Sequence, residues 1–475
     1  MKRLTTHSFV WIVLRAILIE IKRTDMSNFI VLLSDEHNPR YCGPYGHASV
    51  QTPHMDALAQ RGVVYENAYC PSPLCLPSRA AFLTGKRVHE IQTYSNCNLL
   101  LDPTVPSFGA ALAERDVYTV YIGKTDVHAP GKELGFNEMI RPVDRKPPGD
   151  YNHGRNPMSI RKNSANRANG FGSKVDAGTD DMTCVDEAVN WLQNSATKMT
   201  RPWVLIVNVL NPHFPHMAAP EFWDKYPDGD LPEYGVECES ARHPYAAAIR
   251  KHFETDAFSD EQVRGLRRGY LACISFVDQQ LGRLKAAMDD RGLNDTTNLV
   301  YTSDHGEMLG KFGMWWKCSL YEDAVRIPMI AAGPDFAKGK RVSTPVDLHD
   351  LQASFFHASA AEQPVGILGE PLQQLADADS ERVVFSEYHG HGAPGSSYMI
   401  RQGDWKYIHY SGAASQLFNL VNDPEELVNI AELETDIVSS MEASLRKICS
   451  PEIENERAEK MIEDQLEAYS ATKDS

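Results

Sequence analysis

Asp35-Glu36 and Asp304-His305-Gly306-Glu307 each close a continuous apolar run, and Cys75-Leu76-Pro77-Ser78-Arg79 lies between them in the chain. These are the residues with chemistry to offer. A cysteine can act as a nucleophile, although a free cysteine is more often a small buried hydrophobe. Arg79 comes four residues after Cys75; if Cys75 opens a helix, the two lie one turn apart on the same face. The start of such a helix also offers an anion unpaired N–H groups and a favourable dipole. Basic groups follow other apolar runs: Lys124 and His128 after Gly123, His213 and His216 in Asn211-Pro212-His213-Phe214-Pro215-His216, and Lys317 further on. Cations, imidazoles, carboxylates and a nucleophile are the parts required to transfer an anionic group, a reaction in which preorganised charge supplies much of the rate. Taken singly, a strand-end carboxylate is as readily a turn or cap residue as a ligand.

The elements that must position these groups are legible from periodicity. Apolar runs at residues 29–35, 118–123, 203–208, 298–304 and 327–332 read as strands buried on both faces. Helical patterns at 55–60, 79–83, 107–114, 185–194 and 260–290 lie between them. The alternation predicts a parallel, doubly wound α/β sheet whose carboxyl edge, where such sheets bind ligands, carries Asp35 and Asp304-His305. Residues 141–180 and 220–260 are polar and aperiodic and read as long loops, the first as a cover for the site. From about residue 381 the pattern changes to short strands at 383–387, 398–401, 405–410 and 416–420, then a charged helical region over 437–468. The expected division is an N-terminal extension over 1–25, a main domain over 26–375 and a C-terminal α+β subdomain with a helical tail over 376–475.

Composition excludes several classes. The 475 residues are 42% hydrophobic and 23% charged, ordinary for a folded globular protein. A net charge of −17 argues against nucleic-acid binding, which needs a basic face. It does not exclude a small anionic substrate, because positive groups in a pocket can outweigh the global field. The nine cysteines are irregularly spaced, without a Cys-x-x-Cys pair, which removes zinc-ribbon and thioredoxin readings and predicts reduced thiols. In residues 1–25 a basic start precedes an apolar stretch that Arg15 interrupts and no small-residue cleavage site follows. That stretch is too short to span a bilayer, and Met26 is a candidate start. A cytoplasmic location is favoured, with a periplasmic or secreted one if residues 1–25 act as a signal; no membrane partner is expected.

Cys75-Leu76-Pro77-Ser78-Arg79, with Ala80-Ala81-Phe82-Leu83-Thr84-Gly85 after it, resembles the modification signature of type I sulfatases of the alkaline phosphatase superfamily. The resemblance extends to Lys-x-x-x-Tyr-Glu-x-x-x-Arg-x-Pro from Lys317 to Pro328, following Asp304-His305-Gly306, and covers about residues 28–430. It implies an alkaline-phosphatase-like α/β/α sandwich with a small C-terminal α+β subdomain containing an antiparallel sheet. It implies that Cys75 becomes formylglycine, made by a formylglycine-generating enzyme, and that its hydrate is the nucleophile. One divalent cation would be held by Asp35, Glu36, Asp304 and His305, close to the modified Cys75. Ca2+ is expected, with Mg2+ also suited to an oxygen-rich site; His305 stands where many members have Asn, and imidazole tolerates Mn2+ or Zn2+ better. Arg79 would hold the hydrate. Lys124 and His128 correspond to the family's Lys-x-His, here with two extra residues between them. His213, in Pro-His-x-Pro, would serve the leaving group, with His216 as its alternative; Lys317 would bind the bridging oxygen and Asn96 would face the substrate.

Glu387-Tyr388-His389-Gly390, Trp405-Lys406-Tyr407-Ile408 and Asp423-Pro424-Glu425-Glu426-Leu427 resemble the C-terminal region of arylsulfatase K-type enzymes, which act on 2-O-sulfated glucuronate. Ala68 to Cys75 also resembles choline-sulfatase-like and phosphonate-monoesterase-like members. The implied function is hydrolysis of a sulfate monoester borne by a uronate-type carbohydrate. The alternatives are phosphodiester or phosphonate monoester hydrolysis in the same site, and a non-catalytic sulfated-glycan binding protein with Cys75 unmodified.

Overall fold

The apolar runs assemble into one eight-stranded sheet. In the computed structural model its strands are β1 (Asn28–Asp35), β2 (Val63–Tyr65), β3 (Tyr118–Lys124), β4 (Glu138–Val143), β5 (Trp203–Pro212), β6 (Thr297–Ser303), β7 (Met329–Ala332) and β8 (Lys340–Val342). Their spatial order is β8-β2-β7-β6-β1-β5-β3-β4. The structure describes residues 26–96, 104–127, 134–145, 154–161, 163–227 and 235–473. The expected extension over 1–25 and His128 lie outside the described residues.

β1 sits at the centre, parallel to both β5 and β6, with Ile30 opposite Leu205 on one side and Leu299 on the other. A strand covered on both faces has no solvent side, so its apolar residues run on rather than alternate. The sequence predicts a parallel sheet, and in this the structure differs: the sheet is mixed. β7 runs antiparallel to β6 and β2. The reason is the route of the chain: residues 304–328 stay at the carboxyl edge after β6 and re-enter the sheet from that edge, whereas a parallel neighbour would need a crossover to the far edge.

Helices cover the sheet in two layers. α1 (Pro53–Arg61), α3 (Thr179–Asn194) and α4 (Asp260–Asp290) pack together in one. In the other, α2 (Cys75–Thr84) and α5 (Leu348–Ala358) meet through the rings of Phe29, Phe82, Phe108 and Phe355. The segments expected to be long loops contain short elements. Residues 141–180 include the end of β4, a helix at Ser164–Ala168 and a strand at Phe171–Ser173 that pairs with His216–Ala218. Residues 220–260 include helices Pro220–Trp223, Glu239–Arg242 and Pro244–Phe253. Elements this short are held by their neighbours, not by their own periodicity; two of the helices open on a proline, Pro220 and Pro244, whose fixed backbone suits the first helical position.

The C-terminal subdomain is an antiparallel sheet of β9 (Val383–Tyr388), β10 (Ser397–Gln402), β11 (Trp405–Tyr410) and β12 (Gln416–Asn419). The helical tail is two helices, α6 (Thr435–Ile448) and α7 (Pro451–Lys473). Pro451 breaks it, because the residue before a proline avoids the helical region and Cys449 is already extended. α7 reaches back to the layer of α2, where Ala458 packs with Ala81, Val88 and Tyr94. The eight described cysteines are free, and no described helix is long and apolar enough to cross a membrane.

Lys406 fastens the subdomain to the main sheet. Fully buried on β11, its Nζ lies 3.0 Å from Glu322 Oε1 and 2.8 Å from Glu426 Oε1. Lys406→Met would leave two buried carboxylates without their shared cation and should destabilise the fold by about 3–5 kcal/mol, read from the midpoint of denaturant unfolding. A midpoint equal to wild type would show that the two glutamates are neutral in the folded protein.

Candidate active site

The register of β1 against β6 builds the floor of the site. Ser34 lies opposite Ser303, so Asp35-Glu36 and Asp304-His305 leave the sheet side by side. The backbone ties the two ends together: the Asp304 N–H donates to Ser34 O at 3.2 Å, and the Glu36 N–H to Asp304 Oδ1 at 3.1 Å. Glu36 makes the turn in the left-handed region, with φ 70°. Gly306 allows the second strand end to lie against the helix at Glu322–Val325, since a Cβ there would fall 2.1 Å from Asp323 O.

α2 brings Cys75 to this floor. All ten residues of the helix are buried. The Leu76 N–H near its start donates to Asn96 Oδ1 at 3.2 Å, so Asn96 holds the helix start in place. Cys75 Sγ lies 3.2 Å from His305 Nε2 and 3.8 Å from Asp35 Oδ1. One turn further on, Arg79 donates from Nε to Asp304 Oδ2 at 2.8 Å and from Nη2 to Asp35 Oδ2 at 3.4 Å. Its Nη1 reaches Lys124 O and Asn208 Oδ1, both at 3.0 Å. Lys124 Nζ lies 2.5 Å from Asp35 Oδ2.

Each aspartate therefore gives Oδ2 to a cation and turns Oδ1 inward. His305 Nε2 is 3.6 Å from Asp35 Oδ1 and 3.7 Å from Asp304 Oδ1. Ligand atoms of Asp35, Cys75, Asp304 and His305 all lie within 4.8 Å of one another, a donor set of carboxylate oxygens and one imidazole that fits a divalent cation. Glu36 belongs to a second group with Asp35 and His213. Its Oε2 is 3.1 Å from Lys317 Nζ and 3.3 Å from His213 Nε2.

The two candidate histidines separate cleanly. His213 is half-buried, and its Nδ1 lies 2.7 Å from Phe214 O. A carbonyl can only accept, so Nδ1 carries a proton and Nε2 faces Glu36. His216 is fully buried, its Nδ1 bonded to Leu266 O at 3.0 Å and its ring set against Tyr270 and Trp316.

Charge is tightly balanced here. Burial pushes the Asp35 carboxyl up, but Lys124, His213, Arg79 and His305 outweigh it and hold it well below the usual range. Burial acts the same way on Glu36, where Lys317 and His213 bring it down to about 2. Burial and Asp35 raise the Cys75 thiol, yet Lys124, Lys317 and His305 take it well below an ordinary cysteine. Against burial, Asp304 and Cys75 raise His305 to about 9.

Two site residues escaped the sequence reading. Asn208, buried in β5, donates from Nδ2 to Ile122 O at 3.1 Å and accepts from Arg79. An amide inside an apolar strand was its signal, since a buried polar group needs a partner. Glu307 accepts the Leu309 and Trp316 N–H groups, both at 2.7 Å, and so shapes the loop that carries Lys317. Trp316 and Cys318, on either side of Lys317, both have positive φ, at 69° and 78°. Such strain persists only where the surroundings impose it.

The sulfatase family model matches residues 27–360, and one for the C-terminal region of N-sulphoglucosamine sulphohydrolase matches 310–450. Choline-sulfatase of Rhizobium meliloti (strain 1021) is 30% identical over 433 residues, covering 86% of this chain and 83% of its own. Arylsulfatase K of Xenopus laevis is 28% identical over 455 residues, covering 89% and 82%. Among solved structures, BT4656 in complex with its substrate D-glucosamine-2-N,6-O-disulfate has a TM-score of 0.69 at 21% identity, covering 93% of this chain and 98% of its own. The phosphonate monoester hydrolase of Agrobacterium radiobacter has a TM-score of 0.71 at 21% identity, covering 89% and 94%. These two share the fold. With the family model matching most of the chain, this protein belongs to the sulfatase family and is a sulfuric ester hydrolase.

Proposed function

We propose that the protein hydrolyses the sulfate monoester of a carbohydrate, using formylglycine made from Cys75 and one divalent cation. The observation that carries this is the position of Cys75. Its Sγ stands at the start of a buried helix, 3.2 Å from His305 Nε2 and 3.8 Å from Asp35 Oδ1, beside the inward-facing donor atoms. Asp35, Asp304 and His305 would hold the cation, with Glu36 at the edge of the group. When bound, the cation neutralises charge on the sulfuryl oxygens as a Lewis acid. Formylglycine, once hydrated, supplies two hydroxyls on one carbon, one to attack sulfur and one to release sulfate.

The chain's own residues do the rest. Asp304 accepts a proton from the attacking group, and Arg79 fixes Asp304 through Oδ2 while it does so. Lys124 and Lys317 bring positive charge from two sides. His213 protonates the departing alcohol from Nε2, and Glu36 at 3.3 Å stabilises the imidazolium needed for that transfer. A sugar alcohol as leaving group is supported by the arylsulfatase K relatives and by the disulfated glucosamine that BT4656 binds. Phosphonate or phosphodiester hydrolysis in the same site would appear as comparable rates on matched sulfate and phosphodiester substrates. A non-catalytic glycan binder would show an unmodified Cys75.

Protein produced with a formylglycine-generating enzyme should yield a Cys75 peptide lighter than the unmodified one by mass spectrometry. Cys75→Ala should lose turnover and keep its fold; activity within tenfold of wild type would reject the nucleophile. Asp35→Asn and Asp304→Asn should each fall well below one divalent ion per chain by elemental analysis. A full ion in both variants would reject the donor set. Finally, His213→Ala should lose ~10²–10⁴ in rate on a sugar sulfate and far less on nitrophenyl sulfate, whose acidic phenol needs little protonation. Equal losses on both would remove His213 from the acid's role.

A further inference from the structure

The chain reaches His213 through a bulge. Between β1 and β5, Leu33 lies opposite Asn208 but Asp35 lies opposite Pro212, so three residues of β5 stand against Ser34 alone. A bulge takes N–H groups out of the ladder, and each then needs another acceptor. Asp181, in the first turn of α3, supplies it. Its Oδ1 accepts the Leu210 N–H at 2.7 Å. Its Oδ2 accepts the Asn211 N–H at 2.9 Å and Asn211 Nδ2 at 2.7 Å. The loop then closes on the same residues, with the His213 N–H donating to Leu210 O at 2.9 Å.

Asp181 is 2% exposed, and the three donors it meets are neutral amides. Burying a carboxylate among neutral groups is unfavourable, and the start of a helix only eases it. What the carboxylate secures is that one rigid group fixes two successive N–H groups. Gly178 lets α3 begin close enough for this: its φ is 77°, and a Cβ there would fall 2.6 Å from Phe276 Cζ on α4. Both Asp181 oxygens are taken up by the bulge, so the residue acts on the reaction through the backbone. The His213 imidazole is held by the Phe214 carbonyl of its own loop and by Glu36 at 3.3 Å, so the ring stands where the loop puts it.

We propose that Asp181 is the positioning residue for His213: by holding the bulge at Leu210 and Asn211, it sets where the imidazole stands relative to Glu36 and the leaving alcohol. This rests on the reading of His213 as the acid of a sulfatase. Asp181→Asn keeps the shape but turns an amide NH2 towards one of the two backbone N–H groups. Protein carrying formylglycine is assayed on nitrophenyl, phenyl and methoxyphenyl sulfate, whose phenols are progressively less acidic. The kcat of Asp181→Asn should fall by less than about threefold on the first and at least about tenfold on the last, with KM little changed, because the acid acts in the transition state. Adding Asp181→Asn to His213→Ala should bring no further loss. Asn211→Ala removes one bond of the three and should show the same gradient more weakly; it replaces Asp181→Asn if that variant does not fold. In a crystal structure of the variant, His213 Nε2 should lie beyond hydrogen-bond reach of Glu36. An unmoved His213, equal losses on all three sulfates, or losses that multiply in the double variant would overturn the proposal. A level loss for His213→Ala itself rejects the acid's role and the proposal with it. A graded loss for His213→Ala beside a level one for Asp181→Asn rejects the positioning alone.

Discussion

Asp35 and Asp304 are buried side by side at the ends of neighbouring parallel strands, and the rest of the site follows from compensating their charge. Against burial, the surrounding cations hold the Asp35 carboxyl well below the usual range, whereas burial and the Asp35 charge push the Asp304 carboxyl up against the pull of Arg79. Two carboxylates at such close quarters, out of water, cannot both hold their charge without opposite charges near them. Arg79 touches both, and Lys124 touches Asp35. Arg79 can do so because α2 starts at Cys75 and runs fully buried beneath the floor. The same requirement that neutralises the aspartates therefore delivers the nucleophile, since the helix that carries the arginine must begin next to their free oxygens.

A second layer of constraint aims the leaving-group residues. Lys317 sits on a short stretch flanked by two residues with positive φ, and Glu307 and the Cys318 N–H bond to Pro73 O hold that stretch in place. The return of the chain along the same edge, which makes β7 antiparallel, is what puts Lys317 over the site rather than beneath the sheet. Glu36 then receives both Lys317 and His213, so one buried carboxylate sets the spacing of the lysine and the histidine.

The C-terminal subdomain takes part through support. Lys406 ties its sheet to the helix that follows the Lys317 loop, and α7 packs on α2 through Ala458. His89 at 2.9 Å and His389 at 2.8 Å share the Glu387 carboxylate across the same boundary. Contacts of this kind make the position of the catalytic helix depend on residues nearly four hundred positions away in the chain.

Much of this was legible in sequence because it is local. Short, largely apolar runs ending in carboxylates read as buried strands with their polar ends at one edge, and a cysteine four residues before an arginine shares its face once the stretch is helical. The two aspartates, His305, Cys75, Arg79, Lys124 and Lys317 could be named on that ground and on the family resemblance. What only the tertiary structure decided is relational. The ring of His216 is enclosed between Tyr270 and Trp316, which removes the alternative to His213, the histidine that Pro-His-x-Pro already favoured. Asn96 grips the start of α2, Asn208 receives Arg79, and β7 turns back along the edge it came from. The enclosure of His216, the hold of Asn96 on the helix start, the Asn208–Arg79 contact and the return of β7 have no period to reveal them; each depends on which distant segments meet, and that is set by packing the sheet, not by any stretch of sequence alone.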